Sequence, residues 1–148
     1  MADFIYNVAA KRAMDGDLDL NAPSDLRVLL LGTDAEDRDH ANLAAIITAG
    51  AVESTNTGYS RQSLAGDSTA QDDANDRAEY DATDPVFSSV ANDGTGDIVA
   101  AIVYLHIDGT NANDIPVAHY DTNFPVTPNG SDITLTINAE GLIQYSTV

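Results

Sequence analysis

Asp97-Ile-Val-Ala-Ala-Ile-Val-Tyr-Leu-His-Ile-Asp108 is the stretch on which the fold turns. Nine of the ten residues between its aspartates are apolar or aromatic, and Ile98, Val99, Ile102, Val103 and Ile107 are β-branched. A strand with one wet face alternates apolar with polar side chains; this stretch does not, so both its faces are expected to be covered. A buried helix could carry the same run. The β-branched content and the turn residues on either side, Asn92-Asp-Gly-Thr-Gly96 and Asp108-Gly-Thr-Asn-Ala-Asn-Asp114, favour a strand. It reads as the central strand of a sheet.

Working outward, Ile115-Pro-Val-Ala-His-Tyr120 reads as an antiparallel return across a loop centred near Asn111, which sets His119 opposite Val103. Pro116, with no N–H to give a ladder, places that partner near an edge. Leu26-Arg-Val-Leu-Leu-Leu31, closed by Gly32, is a second continuous apolar run and a second buried strand. Ser131-Asp-Ile-Thr-Leu-Thr-Ile137 alternates, with Ile133, Leu135 and Ile137 inward. Asn138-Ala-Glu-Gly141 then turns the chain into a last strand, Leu142-Ile-Gln-Tyr145.

The remaining segments carry weaker patterns. Residues 3–14 space Phe4 and Val8 for a short helix ending at Gly16, and Asp15–Asn21 reads as a turn into an edge strand. Pro23-Ser-Asp25 stops the chain before the first buried run. Thr33-Asp-Ala-Glu36 has capping-box spacing and predicts a helix from Asp34 to Ala49, ended by Gly50. Residues 58–66 read as an exposed strand, Asp67–Asp76 as a polar loop, and Arg77–Asp81 and Asp84–Val90 as short strands. The sum is a single domain over residues 1–148, mainly β. It is an antiparallel β-sandwich or partly closed barrel of seven or eight strands, with one or two short helices near the N-terminus.

Charge limits the partners. The chain holds 24 acidic residues, 20 of them Asp, against 6 basic ones, for a net charge of −18, and Lys11 is its sole lysine. Such a surface repels nucleic acid and anionic membranes, so neither is expected as a partner. Aspartate also collects in turns, of which this chain has many. There is no cysteine, and so neither a disulfide framework nor a zinc–thiolate site. No signal-peptide pattern or membrane-length apolar stretch is present, and a soluble protein made in the cytoplasm is expected.

Chemistry-bearing motifs are sparse. His40 belongs to an acidic segment where exposure is the default, His106 to the buried strand, where a hydrogen-bonded core histidine is expected, and His119 to the return strand. A metal site joining His106 and His119 with Asp121, and weak calcium binding over Asp67–Asp84, are the less favoured readings. Asp15–Leu26 lacks the glycine and glutamate of an EF-hand loop. No nucleophile-elbow, phosphate-loop or zinc-protease pattern occurs. The expectation is a protein without catalytic residues, metal or cofactor.

Several of these segments, taken in order, carry a resemblance. They are Asp15-Gly-Asp-Leu-Asp-Leu20, Leu26–Leu31, Ala49-Gly-Ala-Val-Glu-Ser54, Thr57–Gly66, Asn75–Asp81, Ala101–Leu105 and Ile133–Ile143. The chain resembles the small structural proteins of tailed bacteriophages, the capsid-decoration and tail-associated kind, over nearly its whole length. The extreme acidity departs from them. The resemblance implies a virion protein, made in the host cytoplasm, that binds other subunits. As a capsid decoration (cement) protein it would sit, as a homotrimer, on the outer surface of the major capsid protein lattice. A tail- or fibre-associated role is the alternative, and a small β-sandwich ligand-binding module is the reading from a different class. Phe4, Ile5 and Tyr6 precede the first strong strand and are expected to be buried against a neighbouring subunit as the assembly contact, or else to close the bottom of their own sandwich.

Overall fold

The structure, a computed structural model, describes residues 3–20, 25–137 and 141–146. In chain order its elements are β1 (Phe4–Ile5), α1 (Asn7–Asp15), β2 (Leu26–Thr33), α2 (Leu43–Thr48), β3 (Val52–Glu53), β4 (Gln62–Ser63), β5 (Ser68–Asp72), β6 (Arg77–Asp81), β7 (Val86–Phe87), β8 (Ala100–Leu105), β9 (Ile115–Tyr120), β10 (Ile133–Thr134) and β11 (Ile143–Ser146). The protein is mainly β, with every strand pair antiparallel. Five of the eleven strands among the described residues are two residues long, which is why the sequence suggests fewer.

The main sheet runs β1-β9-β8-β2-β3, with β4 also on β2. β8 is the central strand, and all six of its residues are buried. Its lack of alternation has the expected cause: Ala101, Val103 and Leu105 join Leu26, Val28 and Leu30 on one face. Ala100, Ile102 and Tyr104 join Leu29 and Leu31 on the other. The first face is covered by Tyr80 of β6, Phe87 of β7 and Ile143 of β11. These strands belong to two smaller sheets, β11-β6-β5 and β10-β7. The second face is covered by Leu43 and Ile46 of α2 together with Phe4, Tyr6 and Ala51. The sheets stay open, so the architecture is a sandwich and not a barrel. Each fully buried aliphatic side chain of this kind contributes roughly 1.5–3 kcal/mol.

Several boundaries differ from the sequence reading, each for a local reason. The central strand stops at Leu105, and Ile107 is 52% exposed. β9 carries one extra residue, Val117, between Pro116↔Tyr104 and Ala118↔Val103. The turn is centred on Thr110, not Asn111, which alone would set His119 opposite Ala101; the bulge moves it to Ile102, one place short of the expected Val103. Pro116 does lie near an edge: among the described residues β1 is the only strand outside β9, and it pairs with Ala118 and His119 alone.

The helix expected over Asp34–Ala49 shrinks to α2. Thr33 is not its cap; it ends β2, opposite Val52 of β3. Asn42 caps instead, its Oδ1 accepting from the N–H of Ala45 at 2.9 Å. Residues 34–42 are therefore loop, tightened where Asp37 accepts from the N–H of Asp39. α1 ends at Gly16 as expected, in the left-handed region at φ 77°, with the Gly16 and Asp17 N–H groups donating to Ala13 and Arg12.

The polar stretch Asp67–Asp76 is not all loop. Ser68–Asp72 forms β5 on β6 in register Asp72↔Arg77, across a turn in which Asp72 accepts from the N–H groups of Ala74 and Asn75. The expected strand over 58–66 is reduced to β4, and that over Asp84–Val90 to β7. No strand forms over 16–20; the rest of that expected edge strand, the stop at Pro23-Ser24 and the turn at 138–140 lie outside the described residues. Ile133, Leu135 and Ile137 do face the core, although only Ile133–Thr134 is strand.

Candidate functional site

The densest polar constellation is built around Arg61, a residue the sequence reading passed over. Glu53 of β3 receives two bonds from its guanidinium, Nε–H to Oε1 at 2.8 Å and Nη2–H to Oε2 at 2.6 Å. Nη2 also donates to Asn111 Oδ1 at 2.8 Å, and Nη1 lies 3.8 Å from Asp114 Oδ2. The guanidinium sits 5.2 Å from the centre of the Tyr104 ring. Tyr59 donates its hydroxyl to Glu53 at 2.8 Å while accepting from the N–H of Leu30.

Asp114 is fully buried and accepts from the N–H of Ile107 at 2.8 Å, with His106 Nδ1 at 3.4 Å. The Glu53 carboxylate holds the Arg61 guanidinium protonated, above arginine's ordinary value. Burial raises the Tyr59 hydroxyl well above its ordinary value, with the charge of Glu53 adding to it. Every charged group here has a charged or hydrogen-bonding partner. The constellation fastens β3, the 107–114 loop and the segment around Arg61 to the sheet. Chemically it is a clasp: a bidentate carboxylate–guanidinium pair has no proton to give or take near neutrality.

Phe4, Ile5 and Tyr6 are placed by β1 and by Asp3, whose Oδ1 accepts from the N–H groups of Asp121 and Thr122 at 2.9 and 3.0 Å. Of the two expectations for these residues, the fold displays the burial that the second describes. Phe4 is 7% exposed and Tyr6 fully buried, both inside the chain's own second core, and Ile5 packs against the first. The Phe4 ring stacks on His119 with centroids 4.8 Å apart, meets Tyr6 edge-on, and carries the Arg38 guanidinium at 5.0 Å. His119 is fully buried and donates from Nε2 to Asp34 Oδ2 at 2.9 Å, a tautomer assigned from that acceptor. Burial, reinforced by the negative charges of Asp34, Asp37 and Glu36, pushes the Tyr6 hydroxyl up. The His119–Asp34 pair pins the 34–42 loop to β9, and full burial keeps the ring from any substrate.

The histidines do not converge. His106 is half-buried on Asp114, His119 lies on β9, and His40 is half-buried with Nε2 3.3 Å from the carbonyl oxygen of Ala35. Among the described residues no group of three metal-ligating side chains forms, including over Asp67–Asp84. The exposed loop aspartates serve their own turns. Asp108 accepts from Thr110 and Asn113, Asp93 from the N–H of Thr57, and both carboxyls are held below the usual range by those bonds.

One concavity stands apart from these clusters. A cleft of about 520 Å³ opens between the end of β9, the 122–126 loop, β10 with its continuation to Ile137, and Leu142 and Gln144. Tyr120, Phe124, Leu135 and Leu142 give it an apolar floor, and Asp3 is the one carboxylate in its described lining. The alternation of residues 133–137 is the sequence signal that could have pointed to it.

No family model matches the chain, and neither a curated protein nor a solved structure is similar to it at a significant level.

Proposed function

We propose that the chain is a structural subunit of a tailed-bacteriophage virion, a decoration protein that seats as a homotrimer on the outer surface of the major capsid protein lattice. The resemblance in the order of strands and turns supplies the class. The observation that carries it is how the charged side chains are used. Arg61 with Glu53 and Asp114, His119 with Asp34, and Arg77 with Asp72 and Glu79 each fasten a loop or hairpin to a sheet. The ionisable groups of these three clusters are thus committed to rigidity, and the exposed Asp93 and Asp108 to their own turns. What faces outward is a set of short strand edges on an acidic surface, which suits binding through surfaces.

Quantitative mass spectrometry of purified virions, scaled to the major capsid protein, tests this reading. A copy number comparable to that of the capsid subunit is the expected result. A handful of copies per particle would assign the chain to the tail, and its absence from particles would overturn the virion reading.

A further inference from the structure

The outer edge of β10 opens into the cleft. In the β7–β10 pair Ile133 lies opposite Phe87 and Thr134 opposite Val86. Leu135 donates its N–H to Pro85 O at 3.1 Å, and Ile137 donates to Asp84 Oδ1 at 2.8 Å. The odd-numbered positions therefore direct their backbone groups toward β7 and the segment before it. Alternation along an antiparallel strand aims the N–H and C=O groups of Thr134 and Thr136 the other way. Both threonines are exposed, both line the cleft, and no described residue pairs with their backbone. A row of backbone donors and acceptors beside an apolar floor is what an incoming strand needs: ladder bonds for affinity, and seats for alternate side chains.

Charge selects the occupant. The net charge is −18, and four of the six basic side chains are already engaged. Lys11 pairs with Asp15, Arg38 lies over Phe4, Arg61 pairs with Glu53, and Arg77 pairs with Asp72 and Glu79. A second copy would bring the same negative field to the cleft. A cationic segment would be drawn in. We propose that the Thr134–Thr136 edge and its cleft bind an extended, Lys- or Arg-bearing arm of a partner protein by strand addition. This holds whichever assembly the chain joins, and its test needs no virion.

The probe is a labelled Lys-Lys-Val-Thr-Val-Thr-Val peptide, with its Glu-Glu counterpart as control, followed by anisotropy and by amide hydrogen exchange of the full chain. Saturable binding of the lysine peptide, weakened by salt, with slowed exchange at Thr134 and Thr136, is the expected result. Thr136→Pro removes one cleft-facing N–H and spares the Leu135 and Ile137 bonds to the β7 side. It should weaken binding about tenfold, the order expected when a ladder acceptor is left unpaired. If that variant does not fold, the exchange pattern of the unsubstituted protein decides alone. The proposal is overturned by no binding, by equal binding of the glutamate peptide, or by protection confined to other edges such as β3 or β5. Protection at Thr134 and Thr136 that rises with protein concentration without peptide would make a second copy the occupant, and equally overturn it.

Discussion

The β8 strand and the β5–β6 hairpin are both antiparallel ladders, yet they stand for different reasons. All six β8 residues are buried between two cores, whereas β5 is exposed at every position but Asp72, which is half-buried. β8 is held by what covers it. β5 is held by its pairing with β6 and by a turn whose aspartate satisfies the backbone: Asp72 accepts from Ala74, Asn75 and the Asn75 side chain. Burial dictates position over many residues at once, while turn chemistry dictates it over four. The molecule uses the first for its frame and the second for its surface.

The largest effect should come from uncovering the second face. Deleting residues 1–6 removes Phe4 and Tyr6, and each buried aromatic of this kind is worth about 3–5 kcal/mol, so the truncated chain should lose its cooperative melting transition in calorimetry. Had these residues lain against a neighbour, the core would stay folded; a truncated protein with an unchanged melting temperature would restore that reading. Ile102→Asp attacks the same face from within the sheet. An unpaired carboxylate buried there costs roughly several kcal/mol, and circular dichroism should show an unfolded or strongly destabilised chain. A variant melting like the parent would remove β8 from the centre.

Alkali tests the layers between the two regions. Burial raises the hydroxyls of all six tyrosines above their ordinary value of 10.0. A group whose folded pKa is raised contributes stability that is fully present below the unfolded value and is lost as pH rises toward the folded one. Stability should therefore be flat on this account up to about pH 10 and fall above it. Tyrosinate absorbance should rise together with unfolding, led by Tyr145, which is 39% exposed. Ionisation of most tyrosines near pH 10 in a still-folded protein would contradict that packing. The smallest effect belongs to the hairpin: Asp72→Ala should shift the urea-unfolding midpoint least of these changes, because the turn is solvated and its bonds exposed.

What the sequence conveyed follows the same division. β8, β2 and β9 were legible because burial on both faces writes long apolar runs, and Gly16 was legible as a helix end because the left-handed position favours glycine. β5 was missed because a strand held by pairing alone has no apolar signature. The start of α2 was misplaced because Thr33 and Asn42 both precede plausible helix, and only the pairing of Thr33 with Val52 decides between them. The Arg61 clasp joins residues far apart in sequence, Glu53, Asn111 and Asp114, so no local pattern could announce it. The burial of Phe4 and Tyr6 depended on β1 pairing with β9, a contact across most of the chain's length.

Native-state hydrogen exchange across the whole chain is the most direct measurement of this division between a doubly covered frame and a surface of solvated edges. Amides of Ala100–Leu105 should exchange only through global unfolding, following the denaturant dependence of overall stability. Those of Ser68–Asp72, and of Thr134 and Thr136, should exchange through small local openings or none. Uniform protection across β5, β8 and β10, or faster exchange in β8 than in β5, would contradict it.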